Sequence, residues 1–230
     1  LGKKKVDFKF TETGHNLVSF KTDSEIDAQY PLIIDPTLVW GTYMDGDITG
    51  NLFDEYLFAI QLDTLSGIMY CAGATNKTLL TSIPYDADGY RNTMTGLNGG
   101  SNSGRRTSVL YRVNSTGTDL LDLTLYGPAT INANQENAAQ ALSLSPDRVF
   151  IGGYTNMDLP NTANAFDGVR GGTHDGFIAV FSKTLDVLHY GSYLGSNNAD
   201  LLGVTSIQAL TDTTYVCGLT TAGDLGATYV

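Results

Sequence analysis

Helical patterning, positive charge and long apolar runs are what this sequence has least of. No segment repeats apolar residues at i, i+3, i+4 and i+7; residues 134–144 come nearest, and their second half reads as a strand. No apolar run approaches the roughly 18 residues of a membrane span, so no membrane insertion is expected. Lysine and arginine total 13 against 24 aspartates and glutamates, a net charge of −11. Nucleic acid and anionic lipid both require a basic surface, and neither is expected as a partner. No Gly-x-Ser-x-Gly elbow, Cys/His metal spacing or Walker-type loop occurs, so no catalytic residue, metal or cofactor is expected. Paired carboxylates of glycoside chemistry assemble in space and leave no such spacing to read.

Cysteine is scarce as well. Cys71 and Cys217 sit at neighbouring steps of two related segments, which places them on different sheets. A disulfide needs Cα atoms within about 7 Å, so none is expected, and both read as buried free thiols. The chain opens on Leu1, with no charged-then-apolar leader, and reads as beginning and ending inside something larger.

What is present in abundance is glycine, 26 residues, and tyrosine, 13. With frequent threonine and asparagine this is the composition of a turn-rich β protein. The organising stretch runs from Val149 to Leu194. Val149 to Tyr154 is a short apolar run interrupted by Gly152-Gly153, and Phe177 to Phe181 is apolar at every position. Such short continuous runs between turn signals indicate strands buried on both faces. Leu188 to Leu194 is aromatic-rich and broken by Gly191, which suits a strand closely approached by another backbone.

The chain then restates itself. Cys71-Ala72-Gly73-Ala74-Thr75-Asn76 and Val216-Cys217-Gly218-Leu219-Thr220-Thr221 both match Ile151-Gly152-Gly153-Tyr154-Thr155-Asn156, aligning Gly73, Gly153 and Gly218. Trp40-Gly41-Thr42-Tyr43 matches Tyr190-Gly191-Ser192-Tyr193, and Leu125-Tyr126-Gly127 is a weaker version. A recurring unit of about four strands argues for a solenoid or a propeller.

These segments resemble the SBBP (bacterial β-propeller) repeat: an apolar strand, then Y-x-x-G-x-T-x-x-x-x-L-P, then G-x-x-D-A-F-V-A-x-x, then L-x-Y-S-T-Y-L-G. The resemblance is closest at Ile151 to Pro160, Gly172 to Phe181 and Leu188 to Gly195, and it extends over Tyr30 to Val230. Tyr30 to Trp40 also resembles the segment that introduces such arrays. In the first copy the segment from Asn76 to Arg106 is far longer than the pattern, and Thr107-Ser108-Val109-Leu110 replaces its Gly-Asp-Ala-Phe element. The resemblance implies four-stranded blades in a large secreted or cell-surface bacterial protein, and carries no shared catalytic residue.

The fold class expected is therefore all-β. Residues 1–36, with Val6, Phe8 and Phe10 alternating with polar residues before the turn at 12–16, read as the tail of a preceding β domain and a connector. Residues 37–230 read as four-stranded antiparallel propeller blades, about two and a half of them, and closed propellers need four to eight, so a fragment of a larger propeller is expected. The first blade is expected at 56–62, 68–74, 107–113 and 120–126, and the second at 139–144, 148–154, 177–182 and 188–194. The third begins with 204–210 and 214–220. Trp40 to Tyr43 is expected to complete the last blade of a ring.

Candidate site residues lie in the long first-copy loop. Asp86-Ala87-Asp88-Gly89 has the spacing that opens many calcium loops, yet no glutamate follows at the required distance, so a plain solvated turn is preferred. Tyr85, Asp86, Asp88, Tyr90 and Arg91 are the ligand-binding candidates, with Arg105 and Arg106 closing the loop, because tyrosine and arginine dominate binding hot spots. His174-Asp175 reads as a turn, since neighbours on a strand point to opposite faces.

The function expected is a non-catalytic structural or adhesive module, extracellular or at the cell surface. It would bind protein or glycan through blade-edge loops and pack against the rest of its own larger chain. The alternative is a propeller-fold hydrolase or lyase acting on polysaccharide. The inner strands at 58–62, 139–144 and 205–209 carry no ionisable residue, which leans against an axial active site.

Overall fold

The structure, a computed structural model, describes residues 7–12, 18–22, 29, 56–76, 89–90, 105–195, 203–210 and 213–219. The chain divides into two units, Leu1–Gly41 and Thr42–Val230. In the first, β1 (Phe8–Glu12) and β2 (Val18–Thr22) form an antiparallel hairpin with Phe10 opposite Phe20.

The second unit is built from antiparallel meanders, and all of its described regular structure is strand. Sheet one is β3 (Tyr56–Leu62), β4 (Met69–Thr75), β5 (Thr107–Val113) and β6 (Leu120–Tyr126), in chain order. Sheet two is β7 (Asn137–Leu144), β8 (Arg148–Thr155), β9 (Asp175–Ser182) and β10 (Leu188–Leu194), again in chain order. β11 (Gly203–Ala209) and β12 (Thr214–Leu219) begin a third. Each strand lies within two residues of its expected position. The sheets do not close into a ring among the described residues. Trp40 to Tyr43 and its expected partner strand lie outside them.

The aligned glycines have one structural job. In each sheet the first strand carries an extra residue against the second: the register slips between Leu57 and Ala59, between Ala139 and Ala141, and between Val204 and Ser206. The partners just before the slip are Leu57 with Gly73, Ala139 with Gly153 and Val204 with Gly218. The bulge turns a carbonyl toward the glycine. A Cβ would lie 1.8 Å from Tyr56 O at Gly73, 1.8 Å from Ala138 O at Gly153 and 2.1 Å from Gly203 O at Gly218. Only a residue without Cβ fits.

Sheets one and two pack face to face around one apolar core. Phe177 and Phe181, four residues apart on β9, share a face and are both fully buried. The Tyr126 ring sits 5.4 Å from Phe177 and 5.7 Å from Phe181, edge-on to the latter. The Tyr126 hydroxyl escapes the core by donating to Pro160 O at 2.9 Å, and burial holds its pKa far above the ordinary tyrosine value. The opposite face of sheet two meets sheet three through a smaller cluster of Ala141, Val204 and Ile207, with Phe150, Ile178 and Leu194 against it.

Polar ties fix the stacking. Asn137, buried at the start of β7, donates from Nδ2 to Tyr126 O at 2.7 Å and accepts from Ser108 N–H at 2.5 Å. One amide thus bonds the ends of β5 and β6 from the next sheet. Ser143 Oγ accepts from Ala209 N–H at 2.9 Å and does the same between sheets two and three. The loop between β8 and β9 folds along the outer strand β10, where Leu159 N–H donates to Tyr193 OH and Phe166 N–H to Tyr190 OH. Gly191 admits it, since a Cβ there would meet Pro160 O at 2.6 Å.

Two outcomes follow. Phe181→Ala should lose about 3–5 kcal/mol through the cavity it leaves, read by denaturant unfolding. Gly153→Ala should lose about 1–3 kcal/mol or more, because the new methyl collides with backbone. Gly168→Ala, whose Cβ meets nothing within 4 Å, should be neutral or gain a few tenths of a kcal/mol in the same assay.

Candidate functional site

Because every strand reverses, the starts of β3, β5, β7 and β9 and the end of β8 share one rim of the stacked sheets. Five side chains gather there: Tyr56, Arg106, Glu136, Tyr154 and His174. The main chain brings them together through an isolated parallel bridge between Arg106 and Glu136, with Arg106 N–H donating to Gln135 O and Asn137 N–H to Arg106 O. Glu136 is held in turn by Asn156, whose Oδ1 accepts from Glu136 N–H at 2.7 Å.

Arg106 is the hub. Its guanidinium lies over the Tyr56 ring, 5.1 Å from the centroid, and its Nη1 is 3.5 Å from Glu136 Oε2. Tyr154 lies within its electrostatic reach, and the Tyr154 hydroxyl is pushed above its ordinary pKa by burial first and by the Glu136 charge second, against the pull of Arg106. The Tyr154 and His174 rings lie 6.3 Å apart. His174 Nδ1 is buried with no hydrogen-bond partner among the described residues. Arg106, Glu136 and Tyr56 all retain exposed surface. The rim is thus a preformed patch of two phenols, an imidazole and one paired guanidinium, suited to stacking and directional hydrogen bonding.

The opposite rim carries a second polar cluster with a different character. Tyr70 OH donates to Lys183 O at 2.9 Å, and Lys183 Nζ lies 5.2 Å from the Tyr70 ring centroid and 3.1 Å from Asp63 Oδ2. The Lys183 hydrogen bond holds Asp63 below the usual carboxylate pKa. Arg112 and Asp122, directly opposite across β5 and β6, form an ion pair with Asp122 almost wholly buried. This rim clips the loop between β3 and β4 to the turn between β9 and β10, and its charges are consumed in doing so.

Of the expected ligand-binding residues, Tyr85, Asp86, Asp88 and Arg91 lie outside the described residues. Tyr90 is half-buried against the core: its N–H donates to Leu185 O at 2.8 Å and its ring meets Phe181 edge-on at 5.8 Å. Arg106, expected only as the end of the loop, proves to be the centre of the rim patch. His174 lies just before β9 and Asp175 opens it, where the expected turn does not extend, and Asp175 Oδ2 accepts from Gly171 N–H at 2.7 Å. Glu136 and Tyr154 were not anticipated, since nothing in their spacing announces a meeting with residue 106. No protein-family model and no curated protein matches the chain.

The thiols divide. Cys71 is buried in the core cluster of sheets one and two, and burial pushes its pKa up to about 11. Cys217 corrects the expectation of two buried thiols: it is exposed, because β12 has only β11 beside it among the described residues. The thiolate is the nucleophile, so a raised pKa and burial both silence Cys71. In dilute native protein at pH 8, a thiol-specific chromogenic reagent should titrate one group per chain, and two after denaturation.

Proposed function

We propose that this chain is a non-catalytic structural and adhesive module of β-propeller type, of the kind the SBBP resemblance implies, working outside the cell or at its surface. Its sheets serve as blades, and the rim patch of Tyr56, Arg106, Glu136, Tyr154 and His174 takes hold of a glycan or a protein. The observation that carries the reading is the preassembled state of that patch, whose members are held by main-chain and side-chain bonds while keeping exposed surface. At the opposite rim the lysine and both carboxylates are engaged in ties between elements. At the Arg106 rim the buried His174 Nδ1 has no hydrogen-bond partner among the described residues and is one group that a ligand could meet.

The chemistry favours a neutral or basic partner. With a net charge of −11, an anionic polymer would be repelled by the chain as a whole. Aromatic faces beside a guanidinium–carboxylate pair present stacking surface together with donors and acceptors, which serves a sugar ring or an aromatic-rich peptide equally.

Pull-down on insoluble polysaccharides and solid-phase binding to surface proteins test the reading. Saturable binding should weaken about tenfold or more, some 1.4 kcal/mol, in Arg106→Ala and in Tyr154→Ala while each variant keeps a cooperative melt. Release of reducing ends from a bound polysaccharide would replace the adhesive reading with a hydrolytic or lytic one. Binding indifferent to both substitutions would remove the rim from it.

A further inference from the structure

The five rim side chains come from both sides of one junction. Tyr56 opens β3 and Arg106 precedes β5, both in sheet one. Tyr154, near the end of β8, and His174, just before β9, belong to sheet two, and Glu136 leads into β7. How well the patch is formed therefore depends on how the two sheets are held at this end. On the sheet-two side Asn156 laces the approach to β7: its N–H donates to Glu136 O at 3.0 Å and its Nδ2 to Asn134 O at 2.9 Å. These bonds hold Glu136 and do not touch Arg106.

Asn137 holds the other half. Its N–H donates to Arg106 O at 3.1 Å, its Oδ1 accepts from Ser108 N–H at 2.5 Å and its Nδ2 donates to Tyr126 O at 2.7 Å. Arg106 N–H donates to Gln135 O at 3.1 Å, so the two residues flanking Glu136 grip the main chain of Arg106 from both sides. Tyr126 O also accepts from Thr107 Oγ1 at 3.1 Å, which closes a set of bonds around 106–108. Thr107, Ser108, Tyr126 and Asn137 are all fully buried, so loss of one member would leave a buried polar group unpaired. Having no exposed surface, Asn137 touches no ligand, and its effect on the rim passes through Arg106 and Glu136.

We infer that Asn137 is the positioning residue of the rim patch. Its side chain locks the 106–108 backbone to the start of β7, and so holds the Arg106 guanidinium over the Tyr56 ring and beside Glu136 before anything binds. A patch fixed in advance loses less entropy when a partner is ordered on it. This role presupposes the rim as the binding surface, yet its test needs no ligand.

Because Arg106 lies over the Tyr56 ring, the ring should displace the δ-methylene proton resonances of Arg106 upfield, and Arg106→Lys identifies those resonances by their loss. In Asn137→Ala they should fall back toward the position of free arginine. Asn137→Asp keeps the shape of the amide and the acceptor for Ser108 N–H, but sets a carboxylate oxygen against Tyr126 O. It should lose the upfield displacement at about pH 8 and regain it toward about pH 5, where a buried carboxyl, its pKa raised by desolvation, takes up the proton that restores the donor. Ser143→Ala removes the side-chain tie between sheets two and three and is the control: it should cost stability with the Arg106 resonances unmoved. Unchanged resonances in a folded Asn137 variant overturn the role. So does an equal displacement in Ser143→Ala, or an Asn137→Asp spectrum that ignores pH. Should Asn137→Ala not fold, the pH series of Asn137→Asp decides alone. Binding indifferent to Arg106→Ala would remove the rim reading and leave these resonances as they are.

Discussion

One carbonyl oxygen in each sheet sets the terms for the rest of the molecule. The bulge in the first strand aims the oxygen of Tyr56, Ala138 or Gly203 into the space a Cβ would fill on the second strand, and glycine alone yields it. A bulge adds local twist and re-aims the side chains that follow it. In sheet three the bulge leaves Val204, Ile207 and Ala209 on one buried side, so that its first strand leans on sheet two. Val204 shows how close the lean becomes, resting directly over Gly152. The stacking of sheets is thus a consequence of a local backbone device repeated along the chain.

The middle and the ends of the stack are held by different physics. The middle is apolar and aromatic, with Tyr126 wedged between Phe177 and Phe181, and its stability comes from area removed from water and from close packing. The ends cannot be apolar, because strand termini and turns leave main-chain groups that need partners. Asn137 answers this economically: its amide serves Tyr126 O and Ser108 N–H together, so one buried side chain satisfies two strand ends of the neighbouring sheet. The Arg112–Asp122 pair is costlier. Burying a carboxylate is repaid only by a close partner, and such pairs contribute more to register than to net stability.

Most of the strand map was legible in the sequence because it rests on local signals. Apolar runs of five to eight residues, turn residues between them and a glycine at a fixed step are each visible in one dimension. The recurrence of Gly73, Gly153 and Gly218 even pointed to positions with a shared backbone role, though the bulge itself was not foreseen. The rim patch was not legible. Arg106, Glu136, Tyr154 and His174 come from four separate stretches of the chain, and their meeting depends on how sheet two sits on sheet one. Cys217 was misplaced for a related reason: its sequence context copies a buried segment, but burial belongs to the neighbouring sheet and not to the strand. The contact of Tyr90 with Phe181 and Leu185 was not legible either, because it too depends on how distant segments meet.

The same register governs both the rim and the open faces. Tyr56 stands one residue before Leu57, and its carbonyl is the one buried against Gly73. Its ring lies beneath the Arg106 guanidinium and stacks on Phe58 at 5.8 Å, while the strand it begins carries Ile60 and Leu62 outward. Loss of the bulge would move Tyr56 away from Arg106 and reverse the facing of the strand at once, since a one-residue slip exchanges the two faces. The residues at the mouth of β3 and the apolar face of the same strand are therefore set by one register.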